Sequence, residues 1–99
     1  MLPFTGRAAA QIAALYRHYE DRDRLEAFRN LIVALREASE AIELDPAAGL
    51  RAPRSYPHLI RPGLFWVKAQ RYWIGYRRHP RLIIAAVFQD RAAGRARSA

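Results

Sequence analysis

Two hydrophobic periodicities divide the chain. From Thr5 to about Leu44 apolar residues recur every three or four positions, and from Leu64 to Phe88 they alternate or cluster in short β-branched and aromatic blocks. In the first segment Ala8, Ile12, Leu15, Tyr16 and Tyr19 make one stripe of a helix that Thr5 can cap and that runs to about Glu20. The polar stretch Glu20 to Asp23 interrupts it, and Asp23 followed by Glu26 has capping-box spacing for a second helix. There Leu25, Phe28, Ile32, Leu35, Ser39 and Ile42 keep steps of three and four until Asp45-Pro46 stops the helix near Leu44. The pattern predicts a helical hairpin over about 6–44, with Leu2-Pro3-Phe4 before it as a short edge strand.

The second segment predicts a sheet over about 64–89. LFWVK and RYWIGYR, separated by Ala69 and Gln70, read as a β-hairpin, and the break at Arg78-His79-Pro80-Arg81 leads into a third strand, RLIIAAVF. A two-residue loop at 69–70 would pair Trp66 with Trp73 and Phe65 with Ile74. Alternation then puts Phe65, Val67, Tyr72, Ile74 and Tyr76 on one face, joined by Leu82, Ile84, Ala86 and Phe88. This apolar face needs a cover, and the stripes of the helical hairpin are the partner large enough to supply it. The opposite face carries Trp66, Lys68, Arg71, Trp73, Gly75, Arg77 and Gln89 and is expected to be open. Between hairpin and sheet, residues 45–63 hold Pro46, Pro53, Pro57 and Pro62 and read as a loop, with room for a short strand at His58 to Arg61.

With 99 residues, 52% of them hydrophobic and 26% charged, the chain is sized for one globular domain over 1–99. It has no cysteine, which excludes disulfides and thiolate metal sites. No apolar run is long enough to span a bilayer, and MLPFTGRAAAQ lacks the charged start and apolar block of a secretory signal, so a cytoplasmic location without membrane contact is expected. The charge is unevenly placed. Residues 1–50 hold six Arg against eight acids, a net −2; residues 51–99 hold ten Arg and one Lys against Asp90 alone, a net +10. A cationic sheet half of that density suits a polyanion, either nucleic acid or an acidic protein segment, although such charge can also serve solubility alone. The segment 91–99 is a basic tail of Arg, Ala, Gly and Ser.

Catalytic signatures are sparse. There is no Gly-rich phosphate cradle, no HExxH and no GxSxG, and Ser39, Ser55 and Ser98 have no evident base. His18 stands alone beside the first helical stripe and reads as a boundary residue, and His79 as a turn residue before Pro80. No cofactor and no metal are implied. Trp66 and Trp73 admit two readings: base-stacking platforms in a cationic groove, or a cross-strand pair that stiffens the hairpin.

Taken in order, the helical hairpin, a loop containing LDPAAG, a basic meander RPGLFWVKAQRYWIGYRR and a third strand ending VFQDRA resemble the RelE/ParE superfamily of toxins from type II toxin-antitoxin and plasmid-stabilization modules. The resemblance spans nearly the whole chain, and its most specific parts are the Gly63 turn, the Tyr72 and Tyr76 pair, and Asp45-Pro46 to Gly49. It implies an α+β fold in which the helical hairpin packs on one face of a small antiparallel sheet. It also implies a growth-inhibitory toxin silenced by a cognate antitoxin that is small, acidic and partly disordered when free.

The RelE branch implies ribosome-dependent mRNA cleavage, and there Lys68, Arg71, Arg77 and Arg91 are the candidate catalytic cations. Only Lys68 matches a basic position of that branch. Trp66 and Trp73 stand where arginine is common and Gln89 where histidine is common, and neither residue type can neutralise a phosphate or carry a proton near neutral pH. The ParE branch implies binding to DNA gyrase without chemistry by the toxin, so these departures weigh less against it, and a non-enzymatic, gyrase-directed toxin is the favoured expectation. Its binding face would comprise Trp66, Lys68, Arg71, Trp73, Arg77, Gln89 and Arg91. A non-toxic nucleic-acid-binding module is the further alternative.

Overall fold

A computed structural model of the chain describes residues 1–21 and 25–91. Two helices, α1 (Gly6–Asp21) and α2 (Leu25–Leu44), precede three strands, β1 (Leu64–Ala69), β2 (Tyr72–Arg77) and β3 (Ile83–Gln89). The strands form one antiparallel sheet in the order β1-β2-β3. This is an α+β fold with the helices against one side of the sheet.

The start of α1 follows from its cap. The Ala8 amide donates to Thr5 Oγ1 at 3.1 Å, satisfying a donor that the first helical turn leaves open. The residues before it form a parallel bridge to the edge of β3: the Ile84 amide donates to the Pro3 carbonyl at 2.9 Å and the Thr5 amide to the Ile84 carbonyl at 2.8 Å. Pro3 supplies only an acceptor there, so its missing N–H costs nothing. The Leu2 amide donates to Ser39 Oγ at 3.1 Å, which accounts for a buried serine in the middle of α2. The cap expected at Asp23 lies outside the described residues.

The buried stripe of α2 is Leu31, Ala34, Leu35, Ala38, Ser39 and Ile42. The expected stripe therefore holds in its second half and rotates in its first, where Leu31 rather than Ile32 is central and Leu25 is exposed. Ala34 and Ala38 allow a close backbone approach that a count of large apolar residues overlooks.

The register of β1 with β2 differs from expectation by two residues. Trp66 faces Gly75, not Trp73, and Phe65 faces Tyr76, not Ile74; the turn is Gln70-Arg71, with Gln70 at φ 55°. Ala69, small and apolar, extends β1 and packs in the core opposite Tyr72, and the two long polar residues take the turn. Gln70 Nε2 also reaches the Glu37 carboxylate of α2 at 3.0 Å. A shift of two preserves the side-chain parity, so Phe65, Val67, Tyr72, Ile74 and Tyr76 still face the helices.

On β3 the parity is not preserved. Gly75 pairs with Ala86 but Tyr76 pairs with Ile84, leaving Ala85 as the extra residue of a β-bulge. Ile84 and Val87 therefore face the helices, whereas Ala86 and Phe88, expected beside them, face the other way. Gln89 moves in the opposite sense, pairing with Tyr72 toward the helix side.

The loop after α2 closes over the second face of the sheet. It contains 3-10 turns at Pro46–Ala48 and Pro57–Leu59, the latter where a short strand was expected. Strand-like pairing occurs instead at Leu50, which exchanges two backbone hydrogen bonds of 2.7 and 2.8 Å with Trp66 on the β1 edge.

Candidate functional site

The face expected to be open is a second small core. Trp66 is 3% exposed and Trp73 1%, packed with Leu64 under Tyr56, Leu59, Ala86 and Phe88. Trp66 lies across Gly75, where an added Cβ would meet its ring at 3.0 Å, and Phe88 meets it edge-on with centroids 5.6 Å apart. Neither indole presents a face to a base, and the stacking-platform reading is corrected on this point. The cross-strand tryptophan pair is absent as well, since Lys68 faces Trp73. The cause is the proline-rich loop, whose 3-10 turns bring apolar side chains over the strands.

Asp90 gathers the polar groups at this end of the sheet. Its Oδ2 accepts from Trp73 Nε1 at 3.1 Å and pairs with Lys68 Nζ at 2.9 Å; its Oδ1 accepts from the Tyr56 hydroxyl at 3.2 Å. The Asp90 side chain is 6% exposed and that of Lys68 34%, so the lysine reaches solvent from a nearly buried anchor. Lys68 Nζ also stands 5.9 Å from the Trp73 ring centroid. The signal was present in the sequence: Asp90 is the sole acid after residue 50, amid eleven cations.

The remaining cations separate. Arg71, in the β1–β2 turn, and Arg77, at the far end of β2, lie about 20 Å apart at roughly 3.3 Å per residue. Arg91, directly after β3, stands with Lys68 and Arg71 at the turn end of the sheet, and all three are solvent-accessible. Arg77 makes one long contact, to the Pro62 carbonyl at 3.4 Å. The expected single binding face of Trp66, Lys68, Arg71, Trp73, Arg77, Gln89 and Arg91 is thus three regions: a buried indole pair, a cationic end and a separate Arg77 end.

Two clefts flank His18, the residue expected to stand alone beside the first helical stripe. One of about 600 Å³ is bounded by His18, Glu26, Asn30, Arg71, Tyr72 and Gln89. The other, about 710 Å³, is bounded by His18, Tyr56, Phe88, Gln89 and Arg91 among others. At the floor of the first, the Tyr19 and Tyr72 hydroxyls share a short hydrogen bond. Burial, reinforced by that bond, pushes the Tyr72 phenol above its ordinary range, so it is a neutral donor or acceptor there. No group of three or more metal-ligating side chains stands together among the described residues. None of the described helices is long and apolar enough to cross a membrane.

Tyr76 pins the loop. Its hydroxyl donates to the Pro46 carbonyl at 2.7 Å and accepts from the Gly49 amide at 3.1 Å. Burial raises its pKa, opposed by the Gly49 hydrogen bond to the phenolate form. The LDPAAG segment is therefore held to the sheet by a residue of the central strand.

Compared with known proteins, the chain matches no family model and no curated sequence.

Proposed function

We propose that this chain is the growth-inhibitory toxin of a type II toxin-antitoxin module, of the RelE/ParE kind, neutralised by a cognate antitoxin and directed at DNA gyrase. What supports the toxin reading is a pair of helices on one side of an antiparallel sheet, in a chain whose residues 51–99 carry a net charge of +10. One observation favours gyrase over mRNA. Lys68, the one cation matching the nuclease pattern, is already neutralised by Asp90 at 2.9 Å. A cation committed to a nearly buried carboxylate is poorly placed to stabilise charge on a phosphate in a transition state. Arg71 and Arg91 could bind phosphate, but arginine stays protonated and is a poor base.

A ribosome-dependent mRNA endonuclease is the second reading, favoured by the cleft that gathers His18, Arg71 and Tyr72. Histidine is a residue type that supplies a base, and arginine a cation, for 2′-hydroxyl attack. The two readings separate in paired reactions, a purified translation mix and a gyrase supercoiling assay, each dosed with the free protein. The gyrase reading expects supercoiling to fail while ribosome-bound mRNA stays intact, with Gln89→His leaving toxicity unchanged. Cleaved mRNA with unaffected gyrase, and a loss of at least about tenfold on Lys68→Ala or His18→Ala, would establish the nuclease instead. Silence in both assays would remove the toxin reading.

A further inference from the structure

At the Arg77 end of the molecule two clefts, of about 380 and 550 Å³, lie on either side of Arg61 and Pro62, which line both. Arg51 and Ile60 border the first cleft, and Arg7 and Arg77 the second, so cations from α1, the loop and β2 surround this ridge. Among the described residues no acid lines either cleft. Each of these arginines is exposed, and Ile60 beside them is 50% exposed. Its apolar neighbours Leu59 and Leu64 turn inward to the second core, but Ile60 does not. The ridge is held by its own backbone. Arg61 donates from one guanidinium nitrogen to the His58 and Ile60 carbonyls, at 3.0 and 2.7 Å, and the Leu64 amide donates to the Arg61 carbonyl at 3.2 Å. Gly63, at φ 74°, takes the turn into β1. These bonds position the Arg61 cation without neutralising it and leave the Ile60 side chain presented to solvent.

We propose that this ridge docks on the surface of an anionic lipid bilayer, with Ile60 entering the headgroup layer and Arg7, Arg51, Arg61 and Arg77 meeting lipid phosphates. Charge and shape select this occupant together. Cations on both sides of an exposed aliphatic side chain suit a negatively charged plane with an apolar interior, where the charges are met and the side chain leaves water. A nucleic acid would meet the arginines but leave Ile60 uncovered, and it would find no ring to stack on. Trp66 is covered, and the Phe65 ring carries the Arg78 guanidinium 4.2 Å from its centroid. The expectation of no membrane contact rested on the lack of a spanning run, and contact with a bilayer surface needs none. The inference goes beyond the toxin reading and holds whether or not the chain arrests growth, because neither Lys68 nor the His18 clefts take part in it.

The test is sedimentation of the full chain with vesicles of phosphatidylglycerol and phosphatidylcholine, beside vesicles of phosphatidylcholine alone. The chain should sediment with the anionic vesicles only, and more weakly as salt rises. Ile60→Ser, which removes no charge, should weaken binding by at least about threefold, and Arg61→Gln with Arg77→Gln by at least about tenfold. Arg17→Gln with Arg29→Gln removes the same charge from exposed helix positions and should weaken it far less. Circular dichroism checks the fold of each variant. Because the chain has no cysteine, a polarity-sensitive dye on Ile60→Cys reports entry directly. Its emission should shift to the blue on anionic vesicles, whereas a dye on Arg17→Cys should not respond. Equal losses in the two arginine pairs would show attraction by net charge alone and overturn the proposal, as would unchanged binding of Ile60→Ser or an unshifted dye at Ile60. Binding of an oligouridylate that the Arg61 and Arg77 pair weakens, with no binding to either vesicle, would make the ridge a nucleic-acid site instead.

Discussion

Lys68 and Asp90 form an ion pair, Nζ to Oδ2 at 2.9 Å, that joins the exposed edge of β1 to the end of β3 through the same carboxylate oxygen that holds the Trp73 indole. A pair exposed on both sides would contribute little, but here the carboxylate is nearly buried and serves several donors at once. Its removal leaves a buried indole N–H unsatisfied as well as a lysine without its counter-charge. Asp90→Ala should therefore lower stability by roughly 1.5 to 3 kcal/mol. Lys68→Ala should have a smaller effect, since Asp90 keeps its Trp73 and Tyr56 donors. Urea unfolding followed by tryptophan fluorescence would measure both, and equal losses in the two variants would contradict this asymmetry.

Gly49 lies against the Tyr76 phenol so closely that a β-carbon would overlap its hydroxyl and come within 2.8 Å of ring atoms. Tyr76 is fully buried and cannot swing away. Gly49→Ala should destabilise by about 1 to 3 kcal/mol through overpacking, and Tyr76→Phe by about 0.5 to 1.5 kcal/mol through loss of its hydrogen bonds. In the double variant the two losses should not add, because both act on the same contact. Strict additivity in thermal or urea denaturation would show that the loop is not held there.

Element order, helix limits and the helix-facing side of β1 and β2 were legible because each rests on a local rule: Thr5 as a cap, Asp45-Pro46 as a stop, two-residue alternation along the strands. The cover on the second face was not. Tyr56 and Leu59 lie in a proline-rich loop and have no periodicity, so nothing local in the sequence says that they fold back over Trp66 and Trp73. The bulge at Ala85 was equally hidden, since Ile84-Ala85-Ala86-Val87 is apolar throughout and gives alternation no polar residue to mark its phase. Once that extra residue is inserted, Phe88 and Gln89 exchange sides. The candidate site suffered most, because its expected residues were selected by face, and the face proved to be a core.

That exchange has a measurable consequence. Ile74, fully buried between sheet and helices, should cost roughly 2 to 5 kcal/mol on truncation to Ala and lower the global stability of the domain. Phe88 instead packs on Trp66 and Tyr56, with ring centroids 5.6 and 5.1 Å away. Phe88→Ala should loosen the covering loop first, raising amide exchange at Leu50 and Tyr56 while protection in α2 is kept. Faster exchange in α2 than in the loop would restore Phe88 to the helix side.

The Tyr19–Tyr72 contact predicts alkaline sensitivity with a definite sign. Burial first, and the hydrogen bond shared with Tyr19 second, hold the Tyr72 phenol above its ordinary pKa in the folded chain. The unfolded chain then loses its proton first, near the ordinary tyrosine value of about 10. The corresponding stability is fully present below that pH and falls as pH rises from there toward the folded pKa. Urea midpoints at several pH values from about 8 to about 11 should decline in the parent chain and decline less in Tyr72→Phe, which has no phenol to ionise. Tyr76→Phe should flatten the curve further, as its phenol is shifted in the same direction. Parallel curves for the parent and Tyr72→Phe would mean that the phenol at the floor of the His18 cleft ionises as freely folded as unfolded.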